Sequence, residues 1–204
     1  MRPRLTLWQG LVHLAAWTPA VWLAADALTD QLTANPIQAA IQRTGKTALA
    51  LLLFSLACTP LSRFGFRPVL KVRRALGLYA FLYAALHFSL FIGVDYQFQL
   101  DLIWADARAK PYLWVGFTAG LILLALAATS FQWWMKRLGK NWKRLHRLVY
   151  LAGVLVIFHY AWAKKGNFFT LGGEMAQPSL FGLALLLLLA LRFRPKARFR
   201  PQAR

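Results

Sequence analysis

Acidic residues are scarce in this chain, 6 Asp and Glu against 25 Lys and Arg, and cysteine occurs once. The single thiol, Cys58, excludes an intrachain disulfide, a cysteine-held iron–sulfur cluster and a covalent haem tether of the C-x-x-C-H type. Charge of either sign is low, at 15% of 204 residues, whereas 59% are hydrophobic, a balance outside the range of soluble domains. A net charge of +19 alone would suit nucleic acid, but a basic nucleic-acid binder does not carry long stretches without a single charge. Nucleic acid is therefore excluded as a partner. Also missing is any βαβ segment with a glycine fingerprint, which rules out a fused flavin- or nicotinamide-binding domain. The longest connections, Asp26 to Lys46 and Asp95 to Lys110, are too short to fold alone, so function must reside in one domain covering residues 1–204.

What the chain does have is uncharged apolar runs. Those at 5–25, 75–94 and 111–135 reach the ~20 helical residues that a ~30 Å hydrocarbon core requires, and 175–191 meets its lower limit. Two shorter runs, 47–62 and 148–163, are bracketed by Lys46 and Arg63 and by Arg147 and Lys164, long cations that snorkel to the interface. The pattern predicts an all-α membrane protein, a six-helix transmembrane bundle with spans at about 5–27, 45–62, 75–94, 111–135, 145–163 and 175–192. With the N-terminus in the cytoplasm, nineteen cations and no acid fall on that side, and the opposite side holds the other six cations with all six acids. That asymmetry predicts both termini in the cytoplasm. The first run follows Arg2 and Arg4 like a secretory signal, but its length points to an uncleaved first span.

Gly45-Lys46-Thr47 imitates the end of a phosphate-binding loop. The earlier glycine is replaced by Ala40 and no strand precedes it, so Gly45 and Lys46 are read as the outer boundary of the second span.

All four histidines lie within or at the ends of apolar runs, where ionisable groups are costly and point to function. Counted from the cytoplasmic ends, His13 is shallow and His146 sits at the boundary, whereas His87 and His159 lie deeper. The 13-residue separation of His146 and His159 is ~20 Å of helix, with side chains ~140° apart, so they belong to two stacked centres facing different helices. Zinc would want four ligands, and neither level offers nearby Cys, Asp or Glu. Haem needs one or two axial ligands and an apolar shell. Two bis-histidine b-type haems are therefore expected, His87 with His159 in the outer one and His146 with His13 in the inner one. Propionates would need cations, with Arg73, Arg74 or Arg144 available inside and Arg43, Lys46 or Lys164 outside. Trp8, Trp104, Trp133, Trp134 and Trp142 read as interfacial belt residues, and Trp162 is near enough in sequence to His159 to pack on an outer haem.

Several segments carry a family resemblance: Thr44-Gly45-Lys46-Thr47-Ala48-Leu49, Arg73-Arg74-Ala75-Leu76-Gly77-Leu78, Ala85-Leu86-His87, Ala109-Lys110-Pro111-Tyr112, Leu138-Gly139-Lys140-Asn141-Trp142 and Leu145-His146-Arg147-Leu148-Val149-Tyr150. In this order and spacing the chain resembles, over nearly its whole length, the MsrQ (YedZ) family. These are haem-binding membrane subunits of bacterial periplasmic methionine-sulfoxide reductase systems, within the ferric-reductase-like transmembrane group. The resemblance implies a non-catalytic subunit of the bacterial inner membrane. It would pass electrons from quinol or a cytoplasmic flavin reductase through b haems to a periplasmic molybdopterin partner, MsrP, in repair of oxidised proteins. It implies that His87, His146 and His159 are haem histidines, makes His13 a further candidate, and adds an association with FMN. Related oxidases and ferric reductases carry two histidines on the third span, where this chain has Arg73 and Arg74 before His87, which leaves His13 as the second inner ligand.

Two other classes compete. A self-contained ferric reductase or oxidase needs the flavin and nicotinamide module that is missing. A transporter or proton channel would use histidines as relays and would more often add intramembrane carboxylates.

Overall fold

The computed structural model describes residues 6–164 and 175–193, and among them every regular element is helical. The first helix, α1 (Leu7–Leu28), starts at a reciprocal cap. Gln9 N–H donates to the Thr6 hydroxyl while the Gln9 amide accepts from Thr6 N–H at 3.0 Å. Helix α2 (Pro36–Arg63) starts nine residues before the expected boundary at 45. Asn35 caps it through Gln38 N–H and Pro36 occupies its first turn, a start signal that outweighs the charges of Arg43 and Lys46. Its 28 residues span ~42 Å, more than the thickness of a hydrocarbon core.

A short 3-10 turn (Arg67–Lys71) leads into α3 (Arg73–Ser89), which passes directly into a π-helical turn at Leu90–Asp95. Then α4 (Leu100–Ala109) meets α5 (Tyr112–Ala128) at a bend of 111° across Lys110 and Pro111. The apolar run 111–135 is divided. Thr129 and Ser130 return their hydroxyls to Ala125 and Leu126 carbonyls, and a separate α6 (Gln132–Leu138) follows. After Gly139, at φ +49, come α7 (Lys140–Leu145), α8 (Leu148–Ala163) and α9 (Ala176–Phe193).

Four stretches are long and apolar enough to cross a membrane: Leu7–Leu28, Pro36–Arg63, Arg73–Asp95 and Lys140–Ala163. The bent pair of α4 and α5 makes a fifth if it is one span, and Ala176–Arg192 is a shorter apolar helix. Their outward faces carry apolar side chains that water would not tolerate in such number, among them Leu14, Trp22, Leu121 and Leu183.

Helix α2 is the centre of the bundle, with α3, α1, α8 and α9 around it and α5 packed on α8. Small residues let the helices close: Ala48, Ala80, Ala119, Ala152 and Ala161 are all buried. In lipid, close packing of this kind takes the place of the hydrophobic effect. Polar groups inside the bundle are tied to backbone. Tyr83 of α3 donates to Ala16 C=O at 2.8 Å and accepts from Ala20 N–H at 3.0 Å, inserting its hydroxyl into the α1 ladder beside Pro19. Ser55 donates to Arg73 C=O at 3.0 Å and pins the start of α3 to α2. At one end of the bundle Arg43 pairs with Asp26, and at the other Arg63 caps α9 through Leu191 and Arg192 carbonyls.

Candidate functional site

Helices α3 and α8 bring His87 and His159 side by side, with ring centroids 6.2 Å apart. Both rings are half-buried between helices. The Nδ1–H of His87 donates to Ile41 C=O of α2 at 2.8 Å, and that of His159 donates to Tyr112 C=O of α5 at 2.9 Å. A carbonyl can only accept, so each ring carries its proton on Nδ1 and presents an Nε2 lone pair. Metal-ligating histidines adopt this tautomer and this partner.

The same local device serves both rings. Each accepting carbonyl lies four residues before a glycine, Ile41 before Gly45 and Tyr112 before Gly116, so the side chain that would shield that carbonyl on the helix face is missing. A Cβ at Gly116 would stand 2.6 Å from His159 Nδ1, and one at Gly45 would stand 3.1 Å from His87 Nδ1. Gly45 is thus the seat of the His87 ring, in the N-terminal half of α2. Sequence reasoning missed both glycines as site residues. The available signal was a lone glycine inside an apolar helical run, which marks a close approach.

The other two histidines engage separate neighbours. His13 on α1 bonds through Nδ1 to the Tyr79 hydroxyl of α3 at 2.9 Å. His146, between α7 and α8, lies with Nε2 3.2 Å from Thr129 Oγ1. The Thr129 proton goes to Ala125 C=O at 2.6 Å, so His146 donates from Nε2 and keeps the lone pair on Nδ1, the reverse of the deeper pair. Trp142 stacks on the His146 ring at 4.0 Å and donates from Nε1 to Thr129 C=O at 2.8 Å. Trp142, expected as a belt residue, has its indole occupied in this way.

The start of α3 at Arg73 is pinned to α2 through Ser55, and the Arg74 guanidinium sits over the Phe131 ring at 5.6 Å. Arg144 is exposed and lines a basin with Lys140, Lys143 and Arg147. At the other end, Lys46 donates to Gln177 and Lys164 to Gln42, both at 3.2 Å. Trp162 is half exposed. Arg2, Arg4, Lys165, Glu174 and the basic residues after Phe193 lie outside the described residues.

Among the described residues no three His, Cys, Asp or Glu side chains gather, so a bare metal ion lacks a donor set. A macrocycle that brings four nitrogens of its own asks only for axial imidazoles, and the free Nε2 atoms of His87 and His159 fit that requirement.

Apolar helices holding a pair of oriented imidazoles between them define an all-helical membrane protein with a histidine pair inside its bundle. The family described as ferric reductase like transmembrane component matches residues 44–157, a stretch that contains His87 and His146 and stops two residues short of His159. The chain is similar to the protein-methionine-sulfoxide reductase heme-binding subunit MsrQ of Herminiimonas arsenicoxydans, 42% identical over 93% of this chain and 86% of that one. The subunits of the same name from Bordetella pertussis (40% identical, 96% of this chain and 90% of the other) and Pectobacterium atrosepticum (41%, 90% of each) are similar too. The chain belongs to the MsrQ family of the ferric-reductase-like transmembrane components, and it is a multi-pass membrane protein.

Proposed function

We propose that this chain is the haem-binding, electron-carrying membrane subunit of a methionine-sulfoxide reductase system. The observation that carries the reading is the pair His87 and His159, each with Nδ1 committed to a backbone carbonyl and the rings 6.2 Å apart. When bound, haem b supplies a one-electron iron centre that asks the protein only for axial imidazoles and an apolar surround. His87 and His159 would hold the outer group and His146 and His13 the inner one, with Arg73 and Arg74 as the cations for its propionates. Ile41 and Tyr112 carbonyls fix the tautomer and orientation of the outer rings. A haem held by two imidazoles of this chain would supply electron transfer and not a site for the sulfoxide, so in this reading sulfoxide reduction belongs to a partner.

The partner is a periplasmic molybdopterin reductase, MsrP, and the donor is the quinol pool or a cytoplasmic flavin reductase. FMN enters only through the family likeness, and no residue here is assigned to it. The setting is the bacterial inner membrane. Six helices cross it, with α9 and the bent α4–α5 pair each counted as a span, both termini are cytoplasmic, and residues 1–204 form one transmembrane domain.

Purified, reduced protein is expected to leave a methionine-sulfoxide substrate untouched, and addition of the molybdopterin partner is expected both to reoxidise the chain and to yield methionine. A chain that stays reduced with active partner and substrate present would make it a carrier for some other acceptor, and methionine formed without the partner would make it the enzyme. Topology has its own test. In a Cys58→Ser background, Lys140→Cys is expected to resist an impermeant thiol reagent in intact cells and Gln38→Cys to react. Labelling at position 140 overturns the orientation.

A further inference from the structure

The α6–α7 elbow holds a feature that the electron-carrier reading does not use. Lys140, Lys143, Arg144 and Arg147 surround a basin of about 450 Å³, with Gly139 at its edge. Gly139, at φ +49, makes the sharp return between α6 and α7, and the Trp142 bond to Thr129 C=O fixes α7 against the end of α5. The basin is thus held by backbone and indole contacts, with all four cationic side chains exposed around it.

The sequence has no Asp or Glu between Asp106 and Glu174, and among the described residues no acid pairs with these four cations. The ion pairs found among the described residues, Arg43 with Asp26 and Lys110 with Asp106, involve other segments. Neighbouring cations are engaged elsewhere: Arg137 lies over the Trp133 ring at 5.1 Å and Arg74 over Phe131 at 5.6 Å. Phe131, Trp133 and Met135, at the start of and within the α6 arm of the same elbow, expose apolar surface, with 58% of Trp133 accessible. A focused positive charge next to exposed aromatic and apolar side chains, at the end of membrane-crossing helices, matches the two halves of an anionic lipid.

We propose that this basin is a binding site for an anionic phospholipid headgroup, with two phosphates as in cardiolipin suiting four cations, and with the acyl chains lying along Phe131, Trp133 and Met135. Lys140, Lys143, Arg144 and Arg147 hold the phosphates by charge-assisted hydrogen bonds. The site does not depend on haem or on the identity of the electron partner.

The test titrates the purified full-length protein, in neutral detergent, with cardiolipin, with phosphatidylcholine and with inorganic phosphate, and reads bound lipid by native mass spectrometry and haem by absorption. Cardiolipin is expected to be retained, phosphatidylcholine lost, and millimolar phosphate unable to displace the lipid. Lys140→Gln with Lys143→Gln is expected to weaken cardiolipin about tenfold with haem unchanged. Lys140→Arg with Lys143→Arg keeps binding and shows that the fold survives change at these positions. Lys136→Gln with Arg137→Gln removes equal charge outside the basin and should move affinity less than about twofold. Equal loss from both Gln pairs would mean a diffuse positive surface and overturn the proposal. Displacement by phosphate would make this a site for a soluble phosphate group, and loss of haem without loss of lipid would assign the cations to propionates; either result also overturns it.

Discussion

His87→Ala and His159→Ala are each expected to abolish the same spectroscopic centre, leaving about half of the wild-type haem if two are bound and none if there is one. The reason is positional. The two ring centroids lie 6.2 Å apart with the rings nearly perpendicular, and His13 and His146 sit with other neighbours, His13 at Tyr79 and His146 at Thr129 and Trp142, so neither stands in for a lost member of this pair. A single imidazole cannot sustain a low-spin six-coordinate iron, and no Cys, Met or carboxylate stands ready on α3 or α8 within the bundle. His13→Ala is expected to weaken only the inner centre. A pyridine haemochrome assay with protein quantitation, taken with reduced-minus-oxidised spectra, measures all three variants. A His87→Ala protein with wild-type spectrum and haem content would break the assigned pair.

Gly116→Ala should be nearly as damaging although it removes no ligand. Its Cβ would lie 2.6 Å from His159 Nδ1 and 2.7 Å from Cε1, closer than carbon is found to such atoms, so the imidazole must leave Tyr112 C=O. Losing a bond that orients a ligand typically costs ~10–100-fold in metal-site affinity. Gly45→Ala is expected to cost less, because its Cβ would stand 3.1 Å from the His87 ring and a shift of a few tenths of an ångström relieves it. Gly120→Ala, on the same α5 helix with nothing within 4 Å, is the control and should be neutral or slightly stabilising through better helix propensity. Haem retention during dilution, followed by absorption, ranks the three. If Gly116→Ala and Gly120→Ala retain haem equally well, the carbonyl seat is irrelevant to binding.

Parts of this arrangement are legible in the sequence. Uncharged runs fall where the apolar helices lie, because a helix buried in lipid cannot carry unpaired charge, and the four histidines stood out for the same reason. Where the helices begin and end was less legible. Gly45 and Lys46 mark an expected span boundary near 45, whereas the helix itself begins nine residues earlier at the Asn35 and Pro36 start signal. Nothing in the hydropathy of 111–135 shows the break after Ala128, which depends on Thr129 and Ser130 hydroxyls turning back on the helix.

The sequence by itself determined the helical class, the charge asymmetry, the four buried-type histidines and the family, all properties that depend on residue identity and order along one dimension. Only the tertiary structure decided which backbone carbonyl each ring meets, that Gly45 and Gly116 open those carbonyls, and that Trp142 and Thr129 enclose His146. Those contacts join residues 46 and 47 positions apart in the two deeper cases. Whether such partners meet depends on helix rotation and crossing, which packing of small residues against one another sets and which periodicity along a single helix does not encode.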